Sequence, residues 1–193
     1  MSVTSKTEAV RVPEQPVESS VAAVEWAAIV GGALGAVGIS IILFTLGSGL
    51  GLSTVSPWSF SNPSPTTFGM VAALWLIITQ WLASALGGYL AGRLRTKWVG
   101  IRTDEVFFRD TAHGFLSWAL ATVLVAAFFG LAAAAVTAVP ETATGAASVS
   151  AEATEQARRA ALTFSFFTAL SLLIGAFVGG VSGALGGYHR DDV

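Results

Sequence analysis

Four long apolar stretches, separated by short polar or proline-rich breaks, dominate the hydropathy pattern of the chain. They run from about Trp26 to Leu50, Phe68 to Gly92, Thr111 to Val139 and Ala160 to Tyr188. Each reaches or exceeds the roughly 20 residues that a helix needs to cross a hydrocarbon layer about 30 Å thick. Backbone groups in lipid have no water to bond to, so segments this continuous predict helices, which satisfy their amides internally. A transmembrane β-barrel would alternate polar and apolar positions in stretches of about ten residues, a pattern this chain lacks. The expectation is an all-α integral membrane protein: a four-transmembrane-helix bundle over residues 25–189, behind a flexible tail at 1–24.

The breaks agree. Residues 53–66 contain Pro57, Pro63 and Pro65 and no charge, which marks a loop. Residues 93–110 carry Arg93, Arg95, Lys97, Arg102 and Arg109 among Asp104, Glu105 and Asp110. Residues 140–159 open at Pro140 and end in AEATEQARR, a helical extension of the fourth segment into water, with Glu155 and Arg159 at i,i+4 spacing. The tail mixes Lys6 and Arg11 with Glu8, Glu14 and Glu18 and cannot fold alone. It is not a signal peptide, because the apolar run from Trp26 is far longer than the roughly 7–15 residues of such a segment.

Basic residues in short loops set orientation. Of the ten, only Arg158 and Arg159 fall outside the tail, the central connection and the C-terminus. Both termini and the central connection are therefore expected in the cytoplasm. Trp26, Trp98 and Tyr188 would then sit at the inner interface and Trp58 at the outer one, with Trp75, Trp81 and Trp118 as deeper packing residues.

A pentapeptide recurs: Ala85-Leu86-Gly87-Gly88-Tyr89 near the end of the second segment and Ala184-Leu185-Gly186-Gly187-Tyr188 near the end of the fourth. Two tandem helical hairpins, related by an axis along the membrane normal, would produce this repeat.

Lipid tails are as apolar as leucine, so small residues that admit close backbone approach, rather than burial, join helices in a membrane. The fourth segment has Gly175, Gly179, Gly183 and Gly187 at strict spacing of four. Weaker stripes include Gly31 and Gly35 in the first segment and Gly88 and Gly92 in the second. Each glycine costs about 1 kcal/mol of helix propensity relative to alanine, so the series implies contacts that offset the loss. Packing within one bundle and a homo-oligomer interface both use such stripes, and the spacing leaves both open.

Composition narrows the chemistry. Hydrophobic residues make up 53% of the 193 and charged residues 11%, with none between Glu25 and Arg93. A soluble domain averages about 25% charged residues, so a water-soluble monomer is excluded. The net charge of −2 offers no electrostatic footprint for nucleic acid. No cysteine is present, which removes thiolate nucleophiles, cysteine zinc sites and disulfides.

Ionisable residues inside a span would be functional candidates by default. Glu25 and His113 instead fall at span ends within reach of water, and Gln80, beside Thr79, is the strongly polar side chain deep in a span. Gln80 is expected to bond across to a neighbouring helix. Lining a pore, together with Thr45, Thr79 and Thr122, is the alternative. Ser48 with His113 would make a serine–base pair, but opposite span ends put them on the order of 30 Å apart, ten times the reach of a proton transfer. Asp110 and His113 offer two metal ligands at i,i+3, yet Asp110 reads better as a residue near a helix N-cap. Trp98, Ile101, Glu105 and Phe108, with Val99, Val106 and Phe107, could lay an apolar face on the inner leaflet while basic residues meet anionic headgroups; a solvated loop is the equal alternative. No catalytic, cofactor or metal site is expected.

Three motifs carry a family resemblance: Glu25-Trp26 at the start of the first span, Gly-Gly-Tyr-Leu-Ala-Gly-Arg-Leu at 87–94, and Asp-Thr-Ala-His-Gly at 110–114 with Trp-Ala-Leu-Ala-Thr at 118–122. The chain resembles a group of small bacterial membrane proteins, mostly alphaproteobacterial, some labelled PhnA-like. The resemblance spans the four helices and implies their topology without bringing an activity. The label does not transfer, because PhnA-type proteins carry a cysteine zinc ribbon. The expected protein thus lies in the bacterial inner membrane and partners the lipid bilayer. It works by helix packing, as a homo-oligomer or a membrane-complex subunit, or alternatively as a subunit of an oligomeric pore.

Overall fold

The computed structural model describes residues 23–56, 62–98, 100–137 and 151–192, all of them in helices or short connections. The expected N-terminal tail, Trp58 at the outer interface and the start of the 140–159 connection lie outside the described residues. Helix α1 spans Trp26–Ser53, α2 Pro65–Leu94, α3 Thr103–Thr137 and α4 Ala151–Asp191. All four are long and apolar enough to cross a membrane, which makes the chain a multi-pass membrane protein by length and composition.

Local chemistry sets the helix ends. Ser64 caps α2, its hydroxyl accepting from the Thr67 amide at 3.1 Å, with proline in the first turn. Asp104 and Glu105 occupy the first turn of α3, where acidic residues meet the positive end of the helix dipole. Gly100, at φ 85°, makes the left-handed turn between α2 and α3 that a side chain would strain. Two boundaries differ from expectation. α1 runs on to Ser53, through the glycines at 47, 49 and 51, and α3 begins at Thr103, so residues 103–110 are helix rather than loop. The acidic first turn of α3 starts the helix well before the apolar run does.

The helices pack tightly at one end and part at the other. At the closed end, Ala28, Ile29, Gly32, Ala33 and Ala36 of α1 are buried, as are Ala83, Gly87 and Ala91 of α2, Ser117 and Ala121 of α3, and Ala184 of α4. At the open end, every described position from 158 to 170 of α4 is exposed. A Phe44–Phe129 ring contact at 5.8 Å holds α1 to α3 in that half. α1 packs on α2 and α3, and α4 on α2 and α3, whereas α1 and α4 do not touch among the described residues.

Both hairpins, α1–α2 and α3–α4, are present, but the repeated pentapeptides make different contacts. Gly88 lies against Gly179 and Gly92 against Gly183. Gly186, the repeat equivalent of Gly87, meets Tyr89 and Arg93, so repeat-equivalent residues of the parallel helices α2 and α4 are out of level by about a turn or more.

Candidate functional site

The closed end concentrates the charge that the spans lack. Arg95, just past α2, donates through Nε to Asp110 Oδ1 of α3, and both side chains are almost fully buried. Arg190 of α4 brings Nη1 to 3.5 Å from the same oxygen and donates to the Gly92 carbonyl at 2.9 Å. Its other nitrogens bond both oxygens of Asp191 at 3.0 Å. One carboxylate thus ties three helices. Buried ions persist only when paired and hydrogen-bonded. The Arg95 guanidinium also stacks 3.8 Å from the centroid of the Trp98 ring, which Arg109 approaches at 4.6 Å. Glycine makes room for the carboxylate: a Cβ on Gly187 would overlap the Asp110 side chain.

This placement corrects two expectations. Asp110 is eight residues into α3 and serves as the counter-ion of two arginines, not as part of a helix cap. His113 is 1% exposed rather than open to water. Its Nε2 accepts the Glu25 amide at 2.9 Å, and its Nδ1 lies 2.6 Å from the Arg109 carbonyl. An amide can only donate and a carbonyl only accept, so the ring is neutral and carries its proton on Nδ1. Glu25 in turn accepts from the Thr96 amide at 2.8 Å and its hydroxyl at 3.2 Å. One residue at the start of α1 therefore joins α3 and the α2–α3 connection. Among the described residues no three histidine or carboxylate side chains gather as a metal site.

The glycine stripe faces inward. Gly88 and Gly92 of α2 abut the backbone of Gly179 and Gly183 so closely that a Cβ on either would overlap a carbonyl. Gly183 also meets the Asp110 carbonyl, where a Cβ would sit at 2.5 Å, and Gly179 meets Trp118. Gly31 and Gly35 seat Leu94 and Leu90 of α2. Gly114, absent from the sequence candidates, completes the contact by fitting against Gly179 and Gly183. It lacks a partner at four-residue spacing on its own helix, so no stripe gave it away.

Gln80 is half-buried between α2 and α4, its Nε2 2.6 Å from where a Gly175 Cβ would stand, beside Trp118 and Ser84. Among the described residues its side chain makes no bond across to a neighbouring helix, contrary to expectation, because the facing position is a side-chain-free glycine. The hydroxyls of Thr45 and Thr122 donate to carbonyls of their own helices, Ile41 and Trp118. Ser48 lies at the open end, away from His113. Comparison with protein-family models, curated proteins and solved structures finds no match.

Proposed function

We propose that this protein is a non-catalytic inner-membrane subunit that associates, with a second copy or another membrane protein, through the outer half of α4. The carrying observation is the exposure of every described position from 158 to 170, Leu162, Phe164, Phe166 and Phe167 among them. The glycine stripe is consumed inside the bundle, so association draws on this aromatic stretch instead. The closed end faces the cytoplasm. Its basic residues Arg93, Arg95, Lys97, Arg102, Arg109 and Arg190 support this sidedness. The exposed aromatics Trp26, Phe107, Phe108 and Tyr188 at this end suit a headgroup boundary.

Because the chain has no cysteine, Ser165→Cys and Gly38→Cys report cleanly on crosslinking in native membranes. Ser165→Cys should give one discrete adduct, of dimer mass for a second copy or another mass for a different subunit. Gly38→Cys, in α1, should give none. Absence of any discrete adduct at 165, or equal crosslinking at both sites, refutes the reading.

A further inference from the structure

At the open end a half-open hollow of about 610 Å³ lies along the seam between α1 and α2. Phe44, Gly47 and Gly51 of α1 and Phe68, Val71 and Trp75 of α2 line it, and none of the lining side chains is charged. Its lining runs along α1 from Phe44 to a rim at Thr54, the C-cap of α1. Ten residues of helix separate these levels, so the hollow is about 15 Å long along α1. That length is half of a 30 Å hydrocarbon core, the thickness of one leaflet. The hydroxyls of Thr54 and Thr67 flank the rim, and each is already engaged, with the Gly51 carbonyl and with Ser64.

The walls are held in place. The Trp75 indole donates to the Leu43 carbonyl at 3.0 Å and lies flush on Gly47, where any side chain would overlap the ring. Gly51 leaves ordinary contact distance to Phe68, 3.6 Å from where its Cβ would stand. Two glycines four apart thus keep α1 close on α2 beside the hollow, and a hydrogen-bonded indole forms one wall. Ser48 adds one hydroxyl to the lining, short of the roughly two to four polar partners that hold an ordered water. An empty site would forfeit dispersion contacts along its whole lining. The volume falls within the range of about 300–1,000 Å³ typical of small-molecule sites.

We propose that this cavity binds one acyl chain of a bilayer phospholipid, extended along α1 with its headgroup at the Thr54–Thr67 rim. The length matches a chain confined to one leaflet, the walls are mostly hydrocarbon, and the uncharged rim matches a neutral or zwitterionic headgroup. The site is independent of which end faces the cytoplasm.

The test uses full-length chains in detergent that keep a single tryptophan, either Trp75 or the lipid-facing Trp81, which is 55% exposed. Each is titrated with phosphatidylcholine brominated in mid-chain. Trp75 fluorescence should fall with a saturable phase ending at one lipid per chain, whereas Trp81 should show only a gradual, unsaturated decline. Ala72→Phe, which fills the cavity from α2, should abolish the saturable phase while helicity stays unchanged. Native mass spectrometry of the unmutated chain gives a readout free of tryptophan replacement: one retained phospholipid is expected, lost in Ala72→Phe. Identical quenching of the two tryptophans, or a saturable phase surviving Ala72→Phe, overturns the proposal. Tighter saturation by a brominated free fatty acid, whose carboxylate would face an uncharged rim, overturns the assignment to a bilayer lipid.

Discussion

Replacing Asp110 by asparagine keeps the shape of the side chain and removes the one negative charge shared by Arg95 and Arg190. The side chains of Arg95, Asp110 and Arg190 are 0%, 3% and 10% exposed, so water cannot take over the lost role. At an effective dielectric constant of about 20, a pair 3.5 Å apart attracts by about 5 kcal/mol before desolvation is counted. Arg190 keeps its pair with Asp191, so the relevant quantity is the cost of leaving buried Arg95 uncompensated, which for a broken buried pair is about 3–5 kcal/mol. That equals about two to three and a half decades in the folded-to-unfolded ratio. Titration of mixed micelles with dodecyl sulfate, followed by helicity, measures it. Asp104→Asn is the control, because its pair with Arg102 is 71% and 85% exposed and worth under about 1 kcal/mol. Arg95→Met combined with Asp110→Leu should recover much of the loss, since an apolar pair of similar size needs no desolvation. Should Asp110→Asn unfold within about 0.5 kcal/mol of the unmutated chain, the ion cluster is not in a low-dielectric setting and the argument fails.

Two further substitutions test the closed end. Gly92→Ala should destabilise by at least about 1–3 kcal/mol in the same titration, because its Cβ would overlap the Gly183 carbonyl and meet the Gly187 amide nitrogen at 2.9 Å. Gly38→Ala, with nothing within 4 Å, should instead be neutral or stabilise by up to about 1 kcal/mol; equal effects at the two sites would discredit the backbone contact. His113→Phe leaves the Glu25 amide without its acceptor, at a cost of about 1–3 kcal/mol. Hydrogen exchange at Glu25 and the first turn of α1 should accelerate, and unchanged exchange there would show that the histidine does not hold α1 in place.

The four helices were legible in the residues alone because a helix in hydrocarbon satisfies its backbone within one segment, so apolar run length suffices. Helix ends were less so: the acidic turn at Asp104 and Glu105 begins α3 ahead of its apolar run. The glycines at 175, 179, 183 and 187 announced close approach, but spacing on one helix carries no information about which neighbour approaches. Only the tertiary structure set Gly88 against Gly179 and brought in Gly114. The same limit hid the ion cluster. Arg95 follows α2, Asp110 lies in α3 and Arg190 in α4, and each read alone is an ordinary charge near a span end. Their burial arises from how closely the glycine-lined backbones approach, a property of the assembled bundle that no single segment contains.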